Sequence, residues 1–322
     1  MNNNENKAVK KNKKVDFNKW GYFFIAPFFI VFTVFSLLPL ISTFTNSLYE
    51  NYRIGLQTIG PRFVGLANFK AVFGSDILRY IGNTFILWMA GFIPQILIAL
   101  LLSIWFTSTE LRLKCKQLFK TVIYMPNLIM ASAFAMLFFT LFSDNGPINS
   151  ILLKFGFIHE NIRFLSMEKC TRGLIAAMNF LMWYGNTTIL LMAGIMGIDT
   201  SIYEAARIDG ANPLQTFFKI TFPLLMPIFI YVLITSLIGG IQMFDVPQIL
   251  TNGEGNPNRT SMTLIMYLNK HLANKNYGMA GAVSVITFAL TSVFSFTVYS
   301  MTMNKYKGMG SKSYKGMIGG KK

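Results

Sequence analysis

The stretch YEAARIDGANPLQTFFKITFPLL, Tyr203–Leu225, is a charged, helix-forming segment with a glycine near its centre, set between two long apolar runs. Its local code is dense. Ser201 followed three residues later by Glu204 reads as a capping box, in which the serine side chain takes one free amide and the glutamate reaches back for another, so a helix is predicted from about Ile202. Ala205, Ala206, Arg207 and Ile208 carry it onward, and Gly210 suits the left-handed conformation that ends a helix. Asn212 then reads as a second N-cap with Pro213 in the first helical position, where a missing N–H costs nothing. A second short helix is expected towards Ile220, with Pro223 marking entry into the next apolar run. Helices this short are marginal alone in water, so some surface must pack on them. Ala205 and Ala206 allow a close approach, while Glu204 and Asp209 put negative charge on an otherwise basic face.

The surroundings explain why such a segment needs a partner. The chain has 322 residues, 53% of them hydrophobic, with 31 Phe, which is outside the range of an ordinary soluble domain. A bilayer core needs about 20 mainly apolar residues per helical span. Six segments meet that length, at roughly 20–45, 80–107, 120–143, 173–197, 224–247 and 279–303. The first follows a lysine-rich head but is long, lacks a small-residue cleavage site and is followed by five more, so it reads as an uncleaved first span. The division is a basic cytoplasmic segment over 1–19, a six-helix membrane domain over 20–303 and a Gly- and Lys-rich tail over 304–322, expected to be disordered.

Orientation follows from the basic residues. The termini, the loop 108–119 with its junction to Lys120, and the loop 198–223 together carry 18 Lys and Arg, against 11 in loops 46–79, 144–172 and 248–278. The positive-inside rule therefore puts both termini and the opening stretch on the cytoplasmic face. The net charge of +16 then reads as topology and contact with anionic lipid headgroups rather than nucleic-acid binding, for which the tail has no aromatic stacking platform. Cys115 and Cys170 fall in loops on opposite faces and cannot pair within the chain.

Several chemistries are missing. There is no G-x-x-x-x-G-K-[ST] loop to cradle phosphates, so energy must come from a partner or an ion gradient. The only histidines, His159 and His271, belong to no metal-ligand or triad pattern. No cofactor is implied.

Polar residues within spans face the bundle or a cavity. In span four Asn179, Trp183 and Asn186 share one helix face, with Tyr184 and Thr187 beside it. Span five has Thr235, Gly239 and Gln242, followed by Asp245, and span two has Asn83 and Gln95. Such faces suit a path for a sugar, whose hydroxyls pair with amides and carboxylates while its C–H faces stack on rings. Interhelical hydrogen bonding is the competing explanation. Prolines at 27, 39, 94 and 126 are expected to kink their helices.

Glu204-Ala205-Ala206, three residues, Gly210, nine residues, Ile220, one residue and Phe222-Pro223 resemble the EAA loop of the membrane subunits of ATP-binding-cassette importers, with Phe222 where leucine is usual. YEAARIDGA is similar to the version in the carbohydrate-uptake branch, and the likeness extends through FIAPFFIVFTVFSLLPL, FVGLANFKAVF, NTFIL, TVIYMPNLIM and FDVPQILTNG. After LT many relatives have a Gly-Gly-Pro run where this chain has NGEGNP, so that outer loop is expected to differ in shape. The resemblance implies an all-α membrane protein of the type I importer permease fold, with six transmembrane helices and a cytoplasmic coupling loop at 199–223. It implies a sugar or oligosaccharide as cargo and, as partners, a second homologous permease, two cytoplasmic ATP-binding subunits and an extracellular solute-binding protein. In its terms Glu204 pairs with a basic residue of the ATPase, Ala205 and Ala206 fit a groove beside Asp209, and Gly210 supplies the bend. A stand-alone secondary carrier or channel is the alternative, disfavoured by the lack of mid-membrane acids and bases and of inverted repeats.

Overall fold

The computed structural model describes residues 18–108, 111 and 114–319, with side chains described within 20–302. The expected basic segment 1–19 thus lies almost wholly outside the described residues. The first span is built of α1 (Asn18–Phe32), a π-helical turn (Thr33–Leu37) and α2 (Leu38–Ser47). A second π turn, Phe217–Thr221, connects the cytoplasmic loop to α11 (Phe222–Ile241). Both wide turns end two residues before a proline, Pro39 and Pro223. A proline ring clashes with the carbonyl four residues back, and a wide turn is where a helix absorbs that clash without breaking. Pro223 therefore marks no break, and Pro94 sits inside the continuous α4 (Ile77–Thr107).

Helices form the membrane body as the sequence predicts. Among the described residues five are long and apolar enough to cross a bilayer, or six if one bent pair counts as a single span. That pair is span three, where α5 (Lys116–Tyr124) and a 3-10 turn (Met125–Leu128) meet α6 (Ala131–Leu141) at 89°. Span three is thus sharply broken where a kinked helix was expected. Pro126 supplies no N–H at the bend, and Asn127 Nδ2 donates to the carbonyl of Met182 at 3.1 Å, fixing the turn to span four. Gly185 lets the backbone of Ile123 approach; a side chain there would overlap its carbonyl.

The outer loop after span one adds a small antiparallel hairpin absent from the sequence reading, β1 (Tyr49–Ile54) with β2 (Gln57–Phe63), followed by α3 (Ala67–Phe73). Outer helices α7 (Pro147–Lys154) and α13 (Leu264–Ala273) flank α8 (Glu168–Met196) and α14 (Tyr277–Gly319) respectively. The backbone of α14 runs helical through Gly319, where a disordered tail was expected. Extending a formed helix adds a hydrogen bond for each residue fixed, and lysine is a good helix former.

The centre is α4 against α8. Gly91 sits on the backbone of Ala176, and buried Gln95 Nε2 donates to Thr187 Oγ1 at 2.8 Å. An interhelical bond of this kind contributes about 0.6–2 kcal/mol. Above it, Leu87, Ile175 and Met178 pack on Phe134 and on Val246 and Leu250 of α12 (Asp245–Leu250); below it, Phe92, Ile96 and Leu191 pack on Leu225 and Val232. Trp88 joins these clusters, its Nε1 donating to Ser236 Oγ at 3.1 Å and its ring lying on Gly240. The first span has no buried residue in its most apolar window, while its last part, α2, packs on α14, where Phe44 meets Phe288 and Gly281 lies against Ser47.

Candidate functional site

The loop between spans four and five forms α9 (Thr200–Ile208) and α10 (Pro213–Thr216). Its first cap differs from the expected one. Asp199, not Ser201, is the N-cap, its carboxylate accepting from the Ser201 amide at 2.9 Å, so the helix begins two residues earlier than predicted and the Ser201–Glu204 box is absent. Asp199 takes the capping position because its oxygen reaches the amide two residues on, where an N-cap acts. That backbone hydrogen bond, with a further contribution from the Ser201 side chain, holds the Asp199 carboxyl below the usual carboxylate range. Freed from capping, Glu204 is exposed, as are Ala205 and Asp209, while Ala206 is buried.

Gly210 ends α9 at φ +73°. Its amide donates to the Arg207 carbonyl at 3.0 Å and that of Ala211 to Ala206 at 2.9 Å, the paired bonds of a Schellman stop. The second cap is as predicted: Asn212 Oδ1 accepts from the Gln215 amide at 2.8 Å, and Gln215 Oε1 from the Asn212 amide at 3.0 Å. Tyr203 OH lies 3.2 Å from Thr221 Oγ1, tying α9 to the π turn that leads into span five. Ser201, Ile202, Ala205, Ala206, Asp209, Ala211 and Ile220 line a shallow concavity of about 460 Å³. The loop is thus a bent, self-capped lever with an open acidic and small-residue face, joined without a break to a membrane helix.

The second region is a break in span five. Residues 242–244 separate α11 from α12, and lipid offers no partner to the freed backbone, so other chains of atoms must supply them. Thr263 Oγ1 donates to the Met243 carbonyl at 2.9 Å, and Asn179 Nδ2 lies 3.4 Å from Met243 Sδ while donating to Ile175 O at 2.9 Å. Gln242 and Asp245 are exposed on either side of the break, continuing an open stripe with Tyr231, Thr235 and Gly239. Trp183 is 47% exposed. Tyr184, stacked on Phe180 at 5.1 Å, and Asn186 are half-buried. The predicted path residues therefore divide into an open set, Trp183, Gln242 and Asp245, and a half-buried set, Asn179, Tyr184 and Asn186. Asn83 and Gln95 of span two do not join them. Both are buried: Asn83 donates to carbonyls of the loop 258–262 and accepts from Arg172, and Gln95 donates to Thr187 of α8.

Sequence reasoning missed what holds the outer loop 251–263. Arg79 and Asn83 of α4 and Arg172 of α8 bond to that loop's backbone, and Thr84 Oγ1 accepts from the Leu264 amide at 3.1 Å. Their partners are remote in sequence, so no local spacing announces them.

The chain is thus a bundle of long apolar helices with a bent, self-capped loop on one face and a polar break in one span. The chain belongs to the family of binding-protein-dependent transport system inner membrane components, whose profile matches residues 93–304. It is a transport component of the membrane, and that membership overturns the alternative of a stand-alone carrier. The arabinooligosaccharides transport system permease AraP of Bacillus subtilis is 32% identical, over 90% of each chain. The lactose transport system permease LacF of Rhizobium radiobacter is 31% identical, over 86% of this chain and 91% of its own. The trehalose/maltose transport system permease MalF of Thermococcus litoralis is 30% identical, over 95% and 99%. A bacterial alginate ABC transporter, solved in complex with an alginate pentasaccharide-bound periplasmic protein, has a chain of the same fold, with a TM-score of 0.74 at 22% identity over 91% of this chain and 97% of that one.

Proposed function

We propose that this chain forms half of the pore of an ATP-driven importer for a sugar or oligosaccharide delivered by an extracellular binding protein. The cargo follows from the lactose, arabinooligosaccharide and trehalose/maltose permeases it resembles along most of its length. The observation that carries the coupling is the cytoplasmic loop, whose helices satisfy their own caps and leave Glu204, Ala205 and Asp209 facing outwards. Glu204 pairs with a basic residue of a cytoplasmic ATP-binding subunit, Ala205 and Ala206 admit that subunit closely, and Gly210 sets the angle between the two legs. ATP is hydrolysed on two such subunits, and α10 passes the motion through the π turn into span five. Asn179, Trp183, Tyr184, Asn186, Gln242 and Asp245 line the path in an alternating-access cycle.

A second, homologous permease completes the pore. The first span, 20–47, supports this reading, because its most apolar stretch buries no residue in its own chain and leaves that face for another subunit or for lipid, while α2 packs on α14. Both termini are cytoplasmic by the distribution of Lys and Arg.

The test is to purify the tagged protein gently from its own membranes, identify what accompanies it, and repeat with Glu204→Lys. Recovery of an ATPase, a second permease and a sugar-binding protein is expected, with the ATPase weakened by the variant. A protein that purifies alone and moves solute without ATP ends the proposal.

A further inference from the structure

Four carbonyls of the outer loop are taken by side chains from two membrane helices. Arg79 Nη2 donates to Asn258 O at 2.6 Å, and Asn83 Nδ2 donates to Arg259 O at 2.9 Å and Met262 O at 3.2 Å. Arg172 donates to Thr260 O through Nε at 3.0 Å and Nη2 at 2.8 Å. Arg172 Nη2 also donates to Asn83 Oδ1 at 2.8 Å, so the buried carboxamide uses its nitrogen on the loop and its oxygen on the arginine. A guanidinium bond to a carbonyl in partly buried surroundings is stronger than a neutral one.

The held segment leads directly to Thr263, whose hydroxyl occupies the Met243 carbonyl at the break in span five, and to Leu264, whose amide is bound by Thr84. The loop is closed on itself as well: Thr251 Oγ1 accepts from the Gly255 amide, and Gly255 O accepts from the Ser261 amide, each at 3.0 Å.

We propose that Asn83 and Arg172 are positioning residues for the break in span five: they fix residues 258–262, which hold Thr263 on Met243 and so set Gln242 and Asp245. The transport consequence rests on the reading of Gln242 and Asp245 as path residues; the positioning itself does not.

The test is amide hydrogen exchange on the intact complex purified from its own membranes, comparing wild type with Asn83→Ala, Arg172→Ala, Arg172→Lys and Glu168→Ala. Glu168 accepts only the exposed Asn258 side chain, at 2.8 Å, and serves as the control. In Asn83→Ala and Arg172→Ala, the amides of Gly255, Ser261 and Leu264 and those of Gln242 and Met243 should exchange faster together, by about tenfold or more. Arg172→Lys should fall between, since an ammonium lacks the fork that reaches Thr260 and Asn83 at once, and Glu168→Ala should match wild type. Faster exchange confined to the loop, with 242–243 unchanged, overturns the proposal, as does an equal effect in the control. If Arg172→Ala does not assemble, Asn83→Ala and Arg172→Lys decide the same question. Sugar uptake by the same complexes should show a raised apparent KM. If exchange spreads to 242–243 while KM stays at the wild-type value, the positioning stands and the path reading falls.

Discussion

The loops 199–216 and 251–263 both connect membrane elements, yet they are held in opposite ways. In the first, the helix caps and the stop between the helices use partners two to five residues away. Tyr203, reaching Thr221, ties it to the turn that enters span five. In the second, the decisive partners stand 88 to 179 residues away, on α4 and α8. A region that satisfies its own backbone can shift as a unit and offer its side chains to a partner. A region whose carbonyls are owned by other helices moves only when they do.

The comparison is tested hardest at Glu204. Since the side chain is exposed and caps nothing, Glu204→Lys should leave the unfolding temperature of the chain unchanged. It should lower ATP-driven uptake by about 100-fold, because a like charge set against a basic partner costs several kcal/mol. A fall in unfolding temperature of several degrees would make Glu204 a structural residue and the lever reading wrong.

Glycine substitutions sharpen the contrast. Gly255 has φ +65°, and a Cβ there would lie 2.5 Å from the Met262 amide nitrogen. Gly255→Ala should cost about 3 kcal/mol, the sum of left-handed strain and overpacking, read as about 100-fold faster exchange of the 255–263 amides. Gly210 has φ +73° with open space around it, so Gly210→Ala pays the conformational term alone, about 1–2 kcal/mol. Asn212→Ala, which removes the second cap, should cost about 1 kcal/mol, confined to α10. Equal effects at the two glycines would erase the distinction between the loops.

The same difference in range decides how much was legible in the sequence. Gly210 as a stop and Asn212-Pro213 as a start are local statements, and the structure has both. The Ser-x-x-Glu spacing points to Ser201 as the first cap, but Asp199 stands two residues upstream with an equally good oxygen and captures the Ser201 amide. The spans were visible as lengths of apolar sequence, whereas the 89° break in span three depends on Asn127 finding Met182, which no periodicity encodes. Asn83 shows the limit most clearly. A polar residue in a span reads equally well as part of a path or as a bond between helices, and only the fold assigns it to the loop carbonyls.

The smallest expected effect separates the two loops by pH. His271, on α13 beside the outer loop, is half-buried against Tyr267 at 4.6 Å, and its Nε2 is buried without a hydrogen-bond partner. Burial, and secondarily the charge of Lys270, push the imidazole below its ordinary value. The opened segment therefore binds a proton more readily than the folded one. The stability His271 contributes is present above about pH 6.5 and is lost as the pH falls through the folded value. The amides of Asn274 and Asn276, which donate to Lys270 O and His271 O, should exchange faster at pH 5 than at pH 7.5 once intrinsic rates are removed, and His271→Gln should abolish the difference. The shift at Asp199 acts in the same direction but in a lower window: its contribution is present above the unfolded value of about 3.8 and is lost only as the pH falls through the still lower folded one. Acidification to pH 5 should thus loosen α13 and leave the Ser201 amide protected, so loss of protection at Ser201 in that window would show that the two loops are not independent.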